Sequence, residues 1–434
     1  MLLSEIKDSL RRFALRIEMV SGGSDSAGTS WVSALDVFEV KLSEANRHFE
    51  KGEFSLSKKL VLDAAIFQAT ASERLGLDLL NFKFWDSEVT GSIGHTALAL
   101  GNRVALDKLG QSDGNRKLVL YSQVANPHYL ELWNSYFDIR QVAPEVEAQM
   151  KLRLWPLRQG VSFVTRPTGP LYAHSAWSLG QRARSKGVMM APLAPDRDIV
   201  EKGLGFLTRW GFPHDGWFVT LHVREEVSPG VKSPRNSTIS NYLPGIESIT
   251  EAGGWVIRIG STDSTPIPAH SRVIDLTELQ SRPSWIDVFL LARSRFMIGT
   301  TSGPAVAAMT FGVPVLWTNL TGIGYMPFCA ETLVLPKLAQ DSSTGHRLSL
   351  KETIEAGFAW LETEPSRVTT VRKDLTWLEN DEADILGGVE EMLAEQYSDE
   401  PTRLQAEFAA EIEELNCEGG PPRCSNSFLE RHYR

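Results

Sequence analysis

Cysteine is scarce in this sequence: Cys329, Cys417 and Cys424 are the only three in 434 residues. An odd, widely spaced set builds neither a disulfide framework nor a zinc site, and points to a reducing, cytoplasmic compartment. Long apolar runs are missing too. No stretch of about 18 apolar residues occurs, which excludes a conventional transmembrane helix on length, and the N-terminus lacks a signal peptide's uninterrupted apolar core. Positive charge is short: 44 Lys and Arg against 54 Asp and Glu leave a formal net charge of −10. A general nucleic-acid binder needs the opposite field to displace counterions from phosphates, so no nucleic-acid partner is expected. GxxxxGK[ST], HExxH and CxxC are all absent, which removes the chemistries built on them. The run from Gly299 to Gly303 places Ser302 one position late for a GxSxG elbow, so a serine hydrolase is not supported.

What is present reads as several units, because a chain of this length exceeds one ordinary core. Residues 1–82 form a helical region. Leu2, Leu3, Ile6, Leu10, Phe13, Ala14 and Ile17 recur at helical spacing around Lys7, Arg11 and Arg12. That pattern suits an amphipathic helix packed on the next one, or one lying on a membrane surface or partner. Residues 30–80 then read as a helical hairpin broken at Lys51 and Gly52. It resembles one tetratricopeptide unit, but a single copy has no neighbour to stack on.

From Trp85 onward strand and helix patterns alternate, the grammar of an α/β protein. Residues 83–200 read as a first Rossmann-like unit and its linker, with a basic patch at Arg182, Arg184 and Lys186. Residues 201–345 read as a second, with strands over 217–223, 255–259, 273–275, 295–298 and 313–317. Helices are expected near 242–252, 285–292 and 305–311. The spans 346–415 and 416–434 read as C-terminal helices and a mobile tail behind the Gly419, Gly420, Pro421, Pro422 cluster.

Short apolar parallel strands deliver ligand contacts from their C-terminal ends. The richest such end is 298–312, where Thr300, Thr301, Ser302 and Gly303 lead into a helix with Pro304 in its first turn. A helix start offers unpaired N–H groups and a positive dipole end, suited to a pyrophosphate; the plain alternative is a capped turn. His222 and Arg224 end another strand, where the guanidinium fork suits phosphate oxygens, while a surface ion pair and a satisfied core histidine are the ordinary alternatives. Arg235 and Asn236 sit in a polar loop, Arg258 and Gly260 close the next strand, and Asp287 opens a helix. Their concentration after successive strands is what an anionic nucleotide requires. In the first unit, Gly91, Gly94 and His95 form a glycine-rich turn, with His95 either a general base or a helix cap.

The block 217–319 resembles a bacterial family of predicted glycosyltransferases of surface-glycan synthesis. The matching words run from Thr220-Leu221-His222-Val223-Arg224-Glu225 through Arg235-Asn236, Gly253-Gly254-Trp255-Val256-Ile257-Arg258 and Trp285-Ile286-Asp287 to Ile298-Gly299-Thr300-Thr301-Ser302-Gly303 and Phe311-Gly312-Val313-Pro314. Gly94-His95 matches that family's N-terminal element. More distantly, the histidine-x-arginine strand end and the Ser302-Gly303 helix start resemble fucosyltransferases and heptosyltransferases. The resemblance implies a GT-B fold, two Rossmann-like domains facing a cleft, with phosphate contact at Arg224, Thr301, Ser302 and Gly303. Where the family shows an acidic residue and proline after Arg258 and Gly260, this chain has Ser261 and Thr262 before Asp263, so the sugar preference does not carry over.

The reaction so implied moves a sugar from a nucleotide-diphosphate sugar, as donor substrate, to a hydroxyl of a glycan, lipid-linked or protein acceptor. Arg224 and the Ser302 helix start would stabilise the departing diphosphate without a metal or other cofactor, and His95 is the base to test. A sugar-nucleotide epimerase on the same fold and a non-catalytic helical scaffold are the alternatives.

Overall fold

The computed structural model describes residues 31–50, 53–173, 175, 176, 179, 193–225, 233–279, 282–323, 332–356, 375–394, 400–414 and 422–434. The amphipathic segment 2–17, the basic patch at 182–186, Cys329 and Cys417 lie outside them.

The chain opens with helices α1 (Trp31–Glu50) and α2 (Phe54–Arg74), packed as a hairpin. Strand β1 (Phe82–Trp85) leads to α3 (Ser87–Thr90) and α4 (Ile93–Lys108). Then come β2 (Arg116–Tyr121), α5 (Pro127–Glu131), β3 (Asp138–Gln141) and α6 (Pro144–Arg153). A short antiparallel pair, β4 (Phe163–Val164) and β5 (Leu171–Tyr172), precedes α7 (Arg197–Thr208). The second unit runs β6 (Phe218–His222), α8 (Leu243–Glu251), β7 (Trp255–Arg258), β8 (Val273–Asp275), α9 (Ser284–Arg293), β9 (Met297–Gly299), α10 (Gly303–Thr310), β10 (Val315–Leu320) and β11 (Leu333–Pro336). It is followed by β12 (Leu338–Asp341), α11 (Leu350–Glu355), β13 (Leu375–Leu378), α12 (Glu382–Leu393), α13 (Arg403–Glu414), β14 (Arg423–Cys424) and α14 (Asn426–His432).

Two parallel sheets result. The first is ordered β1-β2-β3, the second β14-β11-β10-β9-β6-β7-β8 with every neighbour parallel. The protein is therefore α/β with two Rossmann-like units, as expected, the first sheet being the smaller. From β6 the chain steps outward to β7 and β8, then returns to lay β9 against the other edge of β6. Right-handed crossovers running in opposite directions put α8 and α10 on opposite faces of that sheet. All six residues of β10 and all four of β7 are buried, the pattern of strands covered on both faces.

The helical hairpin docks on the first unit. Phe38, Ala45, Val61, Ala64 and Ala65 pack with Trp155 and Phe163, and Gln68 Nε2 donates to the carbonyls of Trp155 and Arg158 at 2.8 and 3.0 Å. Among the described residues no helix is long and apolar enough to cross a membrane.

The last residues correct the sequence reading. Rather than a mobile tail, β14 pairs with β11 as the edge strand of the large sheet, and α14 buries Phe428 and Leu429. Beyond the glycine-proline cluster, Cys424, Phe428, Leu429 and Tyr433 recur as apolar anchors and carry the chain back into the core.

One apolar core runs through both units, joining Val89, Leu100 and Trp133 to Val219, Ile298 and Leu316. Polar contacts cross it: Asn126 Nδ2 donates to Ser284 O at 2.8 Å, and Tyr129 and Thr310 share a hydroxyl hydrogen bond at 3.0 Å. The two backbones approach closely at Gly94 and Gly303, in the first turns of α4 and α10. A Cβ on Gly94 would stand 2.8 Å from Gly303 Cα, and one on Gly303 would stand 3.0 Å from Gly94 N. Gly94→Ala and Gly303→Ala are each expected to cost about 1–3 kcal/mol, the usual effect of overpacking. Gly205→Ala, in α7 with nothing within 4 Å of its Cβ position, is expected to be neutral or to stabilise by about 0.5–1 kcal/mol. Chemical denaturation of the three variants measures the difference.

Candidate functional site at the strand ends

The return of the chain to β9 opens a crevice between the C-terminal ends of β6 and β9, the place where open α/β sheets bind ligands. His222 lies in register with Gly299, Thr300 N donates to His222 O at 3.3 Å, and Arg224 N donates to Thr300 Oγ1 at 3.1 Å. Thr301 Oγ1 accepts from Thr321 N at 3.3 Å at the end of β10. Thr300 and Thr301 are thus buried braces of the turn, each hydroxyl accepting from a backbone N–H.

Ser302 follows with extended backbone and starts α10 as its N-cap, but its hydroxyl caps nothing. Three buried polar atoms without a hydrogen-bond partner gather at these strand ends: Ser302 Oγ, His222 Nδ1 and Thr321 Oγ1. Buried polar groups are normally satisfied, and a cluster that is not is left for something to satisfy it.

Burial holds the His222 imidazole pKa down to about 4, assisted by the positive fields of Arg224, Arg282 and Arg258. The imidazole is neutral at physiological pH. Arg224 is exposed at the crevice mouth, and Ser237 N donates to its carbonyl at 2.8 Å, which brings the loop of Arg235 and Asn236 alongside.

The other expected residues divide by role. Arg258 is 1% exposed and engaged with Asp275 Oδ2 at 2.9 Å, Thr265 O at 2.7 Å and the Glu225 carboxylate. Its guanidinium ties β7 to β8 and to the exit of β6, so it braces the crevice rather than opening onto it. Asp287 accepts from Arg282 Nε at 2.9 Å, and Gly260 O accepts from Arg282 Nη1 at 3.2 Å. Arg282 is the residue these two hold in place. Its only signal in the sequence is a basic side chain just ahead of the Pro283 cap of α9.

The first unit brings α4 to the same junction through the Gly94–Gly303 contact. His95 stands exposed on the first turn of α4, with Nδ1 3.2 Å from Glu88 O. A carbonyl only accepts, so Nδ1 is the donor in this contact. Glu88 itself pairs with Arg158, which also holds the buried Asp86 carboxylate. Nearby, Glu147 lies at about 2 despite its burial, because Lys151, Ser122 and Ser87 all donate to it. These carboxylates, two just after β1 and one on α6 after β3, are not singled out by the sequence.

No protein-family model and no curated protein matches the chain. Among solved structures, a glycosyl transferase family 9 protein of Veillonella parvula is 10% identical and covers 73% of this chain and 98% of its own, at a TM-score of 0.40. The iron-containing dodecameric glycosyltransferase TibC of enterotoxigenic Escherichia coli is 15% identical over 72% of this chain and 76% of its own, at 0.38. Escherichia coli ADP-heptose lipopolysaccharide heptosyltransferase II is 12% identical over 59% and 91%, at 0.37.

His222 makes stability depend on pH. Between the unfolded value of 6.5 and the folded value of about 4, the unfolded chain binds a proton that the native protein does not. Stability therefore rises with pH through that window and is lost as pH falls through it. His222→Gln is expected to lose less melting temperature than the parent between about pH 6.5 and 4.5. An equal loss in both would mean that the imidazole is not held neutral.

Proposed function

We propose that the chain is a glycosyltransferase that moves a sugar from a nucleotide-diphosphate sugar to an acceptor hydroxyl. The observation that carries this reading is the meeting of two helix starts, α4 and α10, beside Arg224, Arg282 and the unpartnered Ser302 Oγ and His222 Nδ1. Helix starts and guanidiniums both favour negative charge, and ligands of open α/β sheets bind in the crevice at the carboxyl ends of the strands.

As the glycosidic bond to the diphosphate breaks, charge grows on the departing phosphate oxygens. Arg224, Arg282 and the α10 N–H groups stand ready for that charge before the reaction begins, so little reorganisation is needed when it appears. His222, kept neutral, can donate or accept one hydrogen bond without adding a cation. On the opposite wall His95 Nε2 is the base for the acceptor proton, and the Glu88 carboxylate is the second group to test. The acceptor is a glycan, lipid-linked or protein hydroxyl, met at the cytoplasmic face of the membrane or in the cytoplasm.

The test is a thermal-shift series with UDP, GDP, ADP and CDP. A ligand bound only by the folded state raises the melting temperature by mass action. One nucleotide is expected to stabilise the parent and to bind at least about ten-fold more weakly in Arg224→Ala, a loss of about 1.4 kcal/mol or more. With the matching donor sugar, His95→Ala is expected to lower kcat by about 100-fold or more with the nucleotide affinity unchanged. No response to any nucleotide would favour a helical scaffold, and a changed sugar without transfer would favour an epimerase.

A further inference from the structure

Lys337 is a cation where the fold has little use for one. It follows β11 with 4% exposure, and burial lowers its pKa to about 8, opposed only by the field of Glu379. Its ammonium donates to Asn236 O at 2.7 Å. Two residues further along the same loop, Glu379 accepts from Thr238 N at 2.8 Å and from Ser237 Oγ at 3.3 Å. Opposite charges thus grip the two ends of one short segment.

The grip is anchored from below. Asn319 takes a left-handed backbone, φ 51°, rare outside glycine. There it exchanges hydrogen bonds with Asn380, from Asn319 N to Asn380 Oδ1 at 2.5 Å and from Asn380 N to Asn319 Oδ1 at 2.8 Å. Asn319 Nδ2 also donates to Ser237 Oγ at 2.8 Å, and Asn380 Nδ2 donates to Pro336 O at 2.9 Å. Asn319, Asn380 and Ser237 are all buried. The segment so held passes its order on, since Ser237 N donates to Arg224 O at 2.8 Å.

We infer that Lys337 and Glu379 are positioning residues, a two-ended clamp that holds residues 235–238 against Arg224 so that Arg224, Arg235 and Asn236 address one anionic ligand together. Residue 379 follows β13, far along the chain from that loop, and the clamp makes the donor crevice depend on the C-terminal segment. Stability alone does not explain a buried lysine. Its lowered pKa means that the folded state disfavours the charge, so burying the ammonium costs stability rather than supplying it. What the cation supplies is a fixed position for the Asn236 carbonyl. The inference rests on the proposed donor reading only for what the loop binds.

Lys337→Met separates the roles. The melting temperature at pH 7 is expected to stay within about 3 °C of the parent or to rise, while amide exchange of residues 235–238 quickens at least ten-fold. Affinity for whichever of UDP, GDP, ADP and CDP stabilises the parent is expected to fall at least ten-fold. Lys337→Met/Glu379→Gln, which leaves neither charge unmatched, is expected to show the same loosening with equal or better stability. A purely structural lysine would instead lose melting temperature and affinity in proportion, and unchanged exchange in both variants would overturn the clamp. If the parent binds none of the nucleotides, the donor reading fails, while the exchange measurement still decides whether the clamp exists.

Discussion

The adjacency of β6 and β9 is the constraint on which the rest of the molecule depends. Because β9 returns to the open edge of β6, the residues that leave the two strands are thrown together: His222 beside Gly299, and Arg224 N on the Thr300 hydroxyl. Helices on opposite faces diverge from that point and leave a crevice that neither helix fills. The glycines at 94 and 303 then allow the first unit to approach until backbone meets backbone, so two helix starts meet at one point.

Gathering three guanidiniums near one histidine is costly unless counter-charges are close. The protein meets this unevenly. Arg258 is fully matched by Glu225 and Asp275, and Arg282 is matched by Asp287. Arg224 is placed at the exposed end of the series, and the His222 imidazole stays neutral. Buried pairs thus build the walls and fix the geometry, and the charges of Arg224, Arg282 and Arg258 all act on His222. An overall charge of −10 does not exclude the proposed binding of an anion, because the field that a ligand meets is set within a few ångströms.

The second unit was largely legible in the sequence. Strands as apolar as Val256-Ile257 and Val315-Leu316 are short and bounded by turn residues, and the observed β8 has the expected bounds. The turn from Gly299 to Gly303 announces itself by small residues followed by Pro304. What could not be read was how each polar residue is spent. Arg224 and Arg258 both close a strand in the sequence, yet one is exposed at the crevice and the other is sealed behind two carboxylates. Lys337, Asn319, Glu379 and Asn380 carried no local signal at all, since their partners lie far away along the chain.

Local chemistry determined what the sequence by itself determined: the alternation of strand and helix, the α/β class, the helix start after β9, and the sparse cysteine. Each follows from patterns within about ten residues, where side-chain period and backbone preference act directly. Tertiary structure alone decided which strand lies beside β6, that Gly94 touches Gly303, that the C-terminal residues return as β14 and α14, and that Lys337 reaches the Asn236 carbonyl. Those outcomes depend on burial and on charges paired across long stretches of chain. Neither is a property of any residue until the fold has chosen its neighbours.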